Sequence, residues 1–495
     1  ASAEQQIGYG LYASTGAPPR TLSFRQVLPF DVNGAAHPKD RAFRLSLHVN
    51  GDLERVSRMN WHGVVEQMPL LERRWLGKEP FLGLITFDHG LANALVDAYE
   101  EPPTVEAYAD AAAILDEHWA DYWARSGVAL DDEMLERMWY HNLYFLNCAM
   151  RAGATCPGLF ANWSYRKIGT AWHGDYHLNY NTQQPFWVTF STNHVAQHLP
   201  YVDLVDHVMP ISQKWAREYY GLRGAYFPHS AYPVEMTIMP YPVPTWGWEI
   251  CETPWTVQSL WWHYLYTMDR TFLAERAFGP MREAVIFMVD YMRRPVAHGE
   301  RWNDDRYHIF PTVVPELYGL TPGLTKNYDC LVDLTLTKFL FQAFLDASAA
   351  HGREEAEAEL CNDVVEILEH FPPYATAQSP IGEVFVTVPG ERGDTVYNVP
   401  AAAMTVFPGE EDGLHSDEER LARARNTYRN QRIEGGNELV IVNLQGARLG
   451  ILDLERFKRD VAYCLLPNGT CTDMVQQVHG RYADSTNYDF MGAMG

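Results

Sequence analysis

The change of hydrophobic period at Pro102-Pro103 constrains the fold most strongly. Before this pair, the apolar residues from Phe43 to Val49 alternate with polar ones, and Asn50-Gly51 follows directly, which predicts a strand that enters a hairpin. After it, the apolar residues between Tyr108 and Tyr122 recur at the spacing of one helical face. The sequence therefore predicts a β-rich first part and a helical remainder.

Helical patterns then dominate, while residues 21–32 and 80–88 resemble further strands of the first part. The predicted helices cover 131–152, 182–193, 203–220, 253–268, 271–294, 328–350, 353–370, 416–430, 453–466 and 469–480, with strand-like pieces at 384–388 and 438–444. No fixed repeat length connects them, which disfavours a solenoid and favours an even-numbered ring of paired helices with a concave mouth. We expect a β-rich region at 1–103, a linker helix at 104–130 and a helical domain at 131–495.

Composition narrows the class of partner. With 39 basic and 63 acidic residues the chain has a net charge of −24, which disfavours nucleic acid and anionic membranes. No run of eighteen apolar residues predicts a membrane span. The seven Cys show no metal-binding spacing, and phosphate-loop, serine-elbow and zinc-protease motifs are missing, so we predict no metal and no cofactor. Aromatic residues at 13% suit a neutral, ring-shaped substrate.

The stretch 172–187 concentrates polar and aromatic side chains. If residues 176–182 are extended, His177, Asn179 and Asn181 share one face, and Pro185 then begins a helix. Flat aromatic rings beside amides suit a sugar, so we predict substrate contacts from Trp172, Asp175, His177 and Trp187. The alternative is a buried loop whose Asn and His residues bond to backbone.

Several carboxylates could complete such a site. Glu316 follows an apolar run with two prolines, and burial there would raise the pKa of its carboxyl, as a general acid requires. Asp329 and Asp333 are spaced to share one side of a helix, where they could orient Glu316, bind a sugar hydroxyl or face solvent. Candidate binding residues elsewhere are Trp248, Glu249 and Asp484, with Asp489 nearby in the sequence.

Five segments, in the same order, resemble the catalytic region of glycoside hydrolase family 95, the inverting α-L-fucosidases and α-L-galactosidases. They are Tyr-His-Asn-Leu-Tyr-Phe-Leu-Asn at 140–147, Pro-Gly-Leu-Phe-Ala-Asn-Trp at 157–163, His-Leu-Asn-Tyr-Asn at 177–181, Trp-His-Tyr-Leu-Tyr-Thr-Met-Asp at 262–269, and Pro315-Glu316 with Asp333 downstream. The resemblance covers roughly residues 81–495, and the Asn-x-Asn segment is its most specific part.

The resemblance implies an (α/α)6 barrel behind a partial β-sandwich-like region, and a secreted or periplasmic location. It implies Glu316 as general acid, Asn179 and Asn181 as holders of the attacking water, and Asp489, with Asp484 in reserve, as the carboxylate that polarises the amides. Acid and water-holding groups should then stand roughly 6.5–9.5 Å apart. Where the family carries an Arg-His-rich stretch, residues 399–408 contain neither residue, which predicts a divergent subgroup with altered specificity or lost activity.

The function predicted from the sequence is an inverting, exo-acting glycoside hydrolase that cleaves a terminal α-L-fucosyl or related sugar from an oligosaccharide or polysaccharide. Two alternatives remain open. One is another (α/α)6 enzyme, either a phosphorylase or a polysaccharide lyase with a Tyr or His base. The other is a non-catalytic carbohydrate-binding protein of the same fold. The sequence does not predict the oligomeric state.

Overall fold

The structure is a computed structural model of the 495-residue chain. It describes residues 11–15, 21–28, 41–52, 54–59, 67–72, 80–91, 95, 102–158, 176–231, 246–299, 301–397, 399–433, 439–466 and 469–471. The chain divides into two compact units, Ala1–Arg125 and Ser126–Gly495.

The first unit contains antiparallel strands and one long helix. Its elements are β1 (Leu11–Thr15), β2 (Thr21–Leu28), β3 (Arg41–Val49), β4 (Glu54–Met59), β5 (Gln67–Glu72), β6 (Gly83–Leu91) and α1 (Val105–Trp123). Four strands form a sheet in the order β1-β2-β3-β6, and β4 pairs with β5. The described partners of β3 are thus β2 and β6, so the hairpin predicted at Asn50-Gly51 is wrong. The turn is present, but the next strand in the chain joins the other sheet.

The more buried face of β3 carries mostly polar side chains, whereas a strand usually buries its apolar face. Arg44, Ser46 and His48 are buried, whereas Leu45 is exposed. The buried polar groups have partners: Arg44 forms an ion pair with Asp88 at 2.6 Å, and His48 lies 3.0 Å from the Thr21 hydroxyl. Strand alternation alone predicts the element but not which face is covered.

The second unit is mainly helical. Its helices are α2 (Glu133–Ala149), α3 (Gln184–Ser191), α4 (Leu199–Trp215), α5 (Glu252–Thr267), α6 (Arg270–Phe272), α7 (Phe278–Met292), α8 (Leu331–His351), α9 (Ala358–Glu369), α10 (Glu418–Asn430), α11 (Ile441–Arg448) and α12 (Leu454–Cys464). Short strands lie between them: β7 (Tyr176–His177), β8 (Ser230–Ala231), β9 (Thr376–Ser379), β10 (Gly382–Phe385), β11 (Val396–Tyr397) and β12 (Arg432–Ile433). Short π-helical segments follow α4 at Ala216–Tyr220 and α6 at Leu273–Ala277.

Capping residues explain where many helices begin. Asp132 accepts hydrogen bonds from the backbone N–H groups of Met134 and Leu135 at 3.1 Å, and Asp417 and Asp453 cap α10 and α12 in the same way. Each cap satisfies donors that the first turn of a helix leaves without an intrahelical partner. Pro185, in the first turn of α3, has no N–H to leave unsatisfied, so the helix start predicted there is confirmed.

Helix α5 of the second unit is buried on nearly every side, although its covered residues include polar ones such as Glu252 and Gln258. In α5 all residues from Glu252 to Tyr264 are buried, and α7 and α8 pack against it. A helix that is covered all round belongs to the core of a large domain. Trp255, with 1% exposure, fills much of this volume, and its replacement by Ala would cost about 3–5 kcal/mol of stability.

Three predicted elements differ in the structure. Residues 441–448 are helical rather than strand-like, because a short apolar run does not distinguish a buried helix from a strand. The helix predicted from 328 begins at Leu331, since Asp329 has a φ of +47°. Of the helix predicted at 469–480, residues 469–471 are not helical and the rest lies outside the described residues. None of the described helices has both the length and the apolar character that crossing a membrane requires.

Candidate active site

The site is built around a loop at residues 177–183 rather than an extended segment. Only Tyr176 and His177 are strand, and Tyr180 has a φ of +121°. The Thr182 N–H donates to the His177 carbonyl at 2.9 Å, and the Gln183 side chain donates to the Leu178 carbonyl at 2.6 Å. The prediction that residues 176–182 run extended is therefore wrong: these bonds close the chain into a turn, so the shared face of His177, Asn179 and Asn181 does not form by strand alternation.

The same loop is fixed to a second segment that contains His229. The N–H of Leu178 donates to the His229 carbonyl at 2.8 Å, and β7 pairs with β8. The rings of His177 and His229 meet edge to face with centroids 4.6 Å apart. His229 is thereby placed beside the loop that carries Asn179, and no local pattern in the sequence predicts this neighbour.

Gly224 lets the segment before His229 lie directly on α7. A Cβ at this position, where φ is +77°, would stand 2.3 Å from the Glu283 carbonyl oxygen, so only glycine fits. Backbone hydrogen bonds then continue the attachment: Ala225 donates to Glu283, and Tyr226 donates to Ser212 of α4. His229 is consequently held on a rigid base.

Glu316 lies on a loop that is fastened at several points. Val313 donates its N–H to the Trp248 carbonyl at 2.8 Å, and the Thr312 hydroxyl donates to Asp333 at 2.8 Å. Glu316 itself has a φ of +53°, a left-handed conformation that costs a non-glycine residue about 1–2 kcal/mol. Its side chain retains 34% exposure, so the carboxyl can meet a ligand.

Glu316 and Asn179, 137 positions apart in sequence, are in contact. The Asn179 amide nitrogen donates to Glu316 Oε1 at 3.3 Å, and His229 Nε2 lies 3.9 Å from the same oxygen. The Asn179 amide oxygen is buried and finds no donor among the residues that the structure describes. The arrangement thus brings a reachable carboxyl, an imidazole and an amide to one place.

The pKa of the Glu316 carboxyl differs from the raised value that the sequence predicts. Desolvation is the largest influence and raises the pKa of the carboxyl, but His229, Asn179 and His177 together outweigh it, so the pKa lies below its ordinary value. At 3.9 Å the contact with His229 is longer than a hydrogen bond, so we attribute its effect mainly to charge. The predicted upward shift is wrong, because the neighbours that decide the pKa of Glu316 come from distant parts of the sequence.

The remaining predicted residues fall into three groups. Glu249 and Asp333 are fully buried behind Glu316, and Trp187 packs edge to face on Phe407 with centroids 4.7 Å apart. Asn181 and Trp248 are half-buried. Trp172, Asp175, Asp484 and Asp489 lie outside the described residues. Their roles in binding and catalysis remain predictions.

Asp329 and Asp333 do not form a solvated helix face. Asp329 precedes α8 and contacts His308, with Oδ2 and Nδ1 2.6 Å apart, while Asp333 has zero exposure. Both instead anchor the 308–316 segment from below, Asp333 through Thr312. No group of three His, Cys, Asp or Glu side chains suited to a metal occurs within the described ranges.

The place of the expected Arg-His stretch is occupied by core. Between Val399 and Phe407 the apolar side chains are buried, and Phe407 joins Trp187 and Trp262 in one apolar cluster. This segment therefore packs the interior.

Comparison with known proteins decides the family. The sequence profile described as "Glycosyl hydrolase family 95 catalytic domain" matches residues 106–429, more than half of the chain. The chain belongs to glycosyl hydrolase family 95. This membership places it among the glycoside hydrolases and confirms the resemblance noted from the motifs.

Two individual proteins resemble this family 95 chain. "Alpha-L-fucosidase 2" of Arabidopsis thaliana is 23% identical over 227 residues, which are 45% of this chain and 26% of that protein. The matched part thus spans about a quarter of the curated relative. A solved structure named "Putative kojibiose phosphorylase from human microbiome" aligns with a TM-score of 0.60 at 8% identity, covering 98% of this chain and 66% of that one. That likeness concerns the fold.

Proposed function

We propose that this chain is an inverting, exo-acting glycoside hydrolase that removes a terminal α-L-fucosyl or related sugar from an oligosaccharide or polysaccharide. The observation that carries the proposal is the contact of Asn179 with Glu316, the one partly exposed carboxyl of this cluster, beside His229. Family membership and the similarity to a plant fucosidase support the choice of substrate class.

In the proposed reaction Glu316 gives its proton to the leaving oxygen as the bond from that oxygen to the anomeric carbon breaks. A water held by Asn179 and Asn181 attacks the opposite face of the sugar, and its proton passes to Asp489. Glu316 ends as a carboxylate and Asp489 as an acid, and exchange with solvent restores both. An amide is a weak base, so the carboxylate partner is required for the water to act as a nucleophile.

Substrate binding has two tasks in this scheme. It must separate Asn179 from Glu316, because a direct contact of 3.3 Å leaves no room for water between those atoms. The predicted separation of roughly 6.5–9.5 Å is therefore wrong for this pair. Substrate binding must also favour the protonated acid. A sugar that covers the exposed side of Glu316 would increase desolvation, which already raises its pKa, and so shift the carboxyl toward the neutral form.

The direct test is product analysis on a panel of nitrophenyl sugars and plant-wall oligosaccharides. Proton NMR during the first turnovers should show a free monosaccharide whose first anomer has the opposite configuration to the substrate. Retention of configuration, or no release from any fucosyl or galactosyl substrate, would reject the proposal.

A phosphorylase is the second candidate, because 98% of this chain aligns with a solved structure named as a putative kojibiose phosphorylase. A phosphorylase would form a sugar phosphate and would stop when phosphate is removed, whereas the proposed hydrolase would not. A lyase would instead yield an unsaturated product that absorbs ultraviolet light. Binding of glycans without turnover of any kind would favour a carbohydrate-binding protein.

The proposal extends to architecture and location. We propose that the helices of the second unit form an (α/α)6 barrel, that the strands of the first unit belong to a β-sandwich, and that the protein acts after secretion or in a periplasm. We also propose substrate contacts from His177, Trp172, Asp175, Trp187, Trp248 and Asp484. Glu249 and Asp333, which were predicted to bind substrate as well, have zero exposure and are proposed to support the site without touching the sugar. The buried apolar segment 399–407, in place of Arg and His, supports a specificity different from that of typical fucosidases.

A further inference from the structure

Three interacting carboxyl groups are closed off from solvent, and one of them, Glu249, contacts the backbone of Glu316. Glu249, Glu252 and Asp333 each have zero exposure, in contrast to the partly exposed Glu316 side chain. Ionised carboxylates are costly to bury unless charges or donors compensate them. Their retention in the interior requires an account of where their protons and hydrogen bonds are.

Glu249 contacts Glu316 through the backbone. Glu249 Oε1 accepts the N–H of Glu316 with 3.2 Å between nitrogen and oxygen. This is the residue whose φ of +53° is unfavourable for a side chain with a Cβ, and such a conformation persists only where surrounding contacts fix it. The bond from Glu249 is therefore well placed to fix the direction in which the Glu316 carboxyl points.

A proton shared between Glu249 and Glu252 would give their remaining carboxyl oxygens a hydrogen-bond partner. Glu249 Oε2 and both carboxyl oxygens of Glu252 meet no donor among the described side chains and backbone groups. Burial raises the pKa of Glu249, and burial followed by the charge of Glu249 raises that of Glu252 well above its ordinary value. Two buried carboxyls that interact in this way do not both ionise, so the pair holds one proton between them.

We propose that Glu249 is a positioning residue for Glu316: it shares one proton with Glu252, accepts the Glu316 N–H and keeps a negative charge behind the general acid. The inference rests on the proposed function for the role of Glu316. The charge opposes ionisation of Glu316 and so counteracts His229, which favours it.

Within the part of the chain that the structure describes, titratable groups face the pair from the loops around Glu316 and from α5 and α8. His229 and His177 face Glu316 from the loops described above, and Glu249 faces it from behind. Among the described residues, Glu249 interacts electrostatically with Glu252, His229, Glu316, Asp333 and Cys251, and Asp333 also acts on Glu252. Of these neighbours, Glu316 is the one proposed to react.

The first experiment separates positioning from binding. Glu249→Ala removes the acceptor, and we expect kcat to fall by up to about 10²-fold with KM changed by less than about threefold, because a small misplacement of a reacting group has effects of that size. Glu249→Gln keeps an acceptor oxygen and should recover a large part of the lost rate. Equal losses in the two variants, or a rate in Glu249→Ala equal to that of the unmodified chain, would overturn the proposal.

The second experiment does not need activity. In protein labelled with ¹³C at glutamate carboxyls, the Glu316 signal is identified by its loss in Glu316→Gln and followed through a pH titration. Glu249→Gln removes the neighbouring negative charge, so the pKa of Glu316 should fall relative to that of the unmodified chain. An unchanged pKa would overturn the proposal.

The matched control for this titration is Glu357→Gln, which alters another buried carboxyl, one paired with Arg282 at 2.8 Å. This substitution should leave the pKa of Glu316 unchanged. This arm remains decisive if Glu249→Ala does not fold. Failure of the proposed function would show separately, as full activity in Glu316→Gln or as release of no sugar.

Discussion

Glu316 and Glu249 are joined by one backbone hydrogen bond, yet their carboxyls are perturbed in opposite directions. Glu316 is partly exposed and faces His229 and Asn179, and its pKa is lowered. Glu249 is fully buried against Glu252, and its pKa is raised. Burial favours the neutral form in both, so the difference comes from the partners that each carboxyl meets. In the proposed enzyme the exposed member reacts and the buried member holds it in place.

The largest expected effect is loss of the reacting carboxyl. Glu316→Gln should lower kcat by about 10²–10⁴-fold, the usual contribution of general acid-base catalysis, while ligand binding is preserved. Steady-state kinetics and calorimetry on the same preparation measure the two quantities. A rate close to normal would remove Glu316 from the proposed mechanism and make the contrast with Glu249 irrelevant to catalysis.

Loss of the amides should have the next largest effect. Asn179→Ala and Asn181→Ala should each lower kcat by about 10²-fold and change affinity much less, because the amides are proposed to position water in the transition state. Separate measurements of kcat and KM test this. A rise in KM with unchanged kcat would assign the amides to sugar binding instead.

The proposed shared proton of the buried Glu249 and Glu252 can be tested through the free energy of unfolding. Glu252→Leu removes the proton donor of Glu249 and leaves a buried acceptor without a partner, so unfolding in urea should become easier by about 1–3 kcal/mol. Glu252→Gln retains donors and serves as the matched control, with a smaller loss. If Glu252→Leu is at least as stable as Glu252→Gln, the two carboxyls do not share a proton.

The smallest expected effect is a shift in the pH dependence of activity when His229, a neighbour of the partly exposed Glu316, is replaced. His229→Gln removes a group that lowers the pKa of Glu316, so that pKa should rise. A general acid works in its protonated form, and the limb at which activity is lost toward high pH should therefore move upward, by less than about one unit. An unmoved or lowered limb would show that His229 does not set the ionisation of Glu316.

Much of the helical order was predictable, whereas the pairing at the site was not. Hydrophobic periodicity locates α2, α5 and α10 within a few residues, since this signal is local in sequence. The family resemblance also predicts that Glu316 and Asn179 take part in the same reaction. Sequence could not show that they touch, because that contact depends on the turn at Tyr180 and on the left-handed turn at Glu316.

The same limitation explains the error in the Glu316 pKa. Its sequence neighbours are apolar and suggest a raised value, but His229 approaches from a segment fixed by Gly224 on α7. Glu252 is an acidic residue in the first turn of α5, a position that is common at the surface. Its complete burial against Glu249 follows only from the packing of α5.

The most direct test of the account compares two leaving groups in Glu316→Gln. Fluoride departs without a proton donor, whereas the oxygen of a glycan needs protonation as it leaves. With an α-L-fucosyl fluoride and a fucosylated oligosaccharide as substrates, we expect the variant to retain most of its rate on the fluoride and to lose at least about 10²-fold on the oligosaccharide. Equal losses on both substrates would contradict the assignment of Glu316 as the general acid.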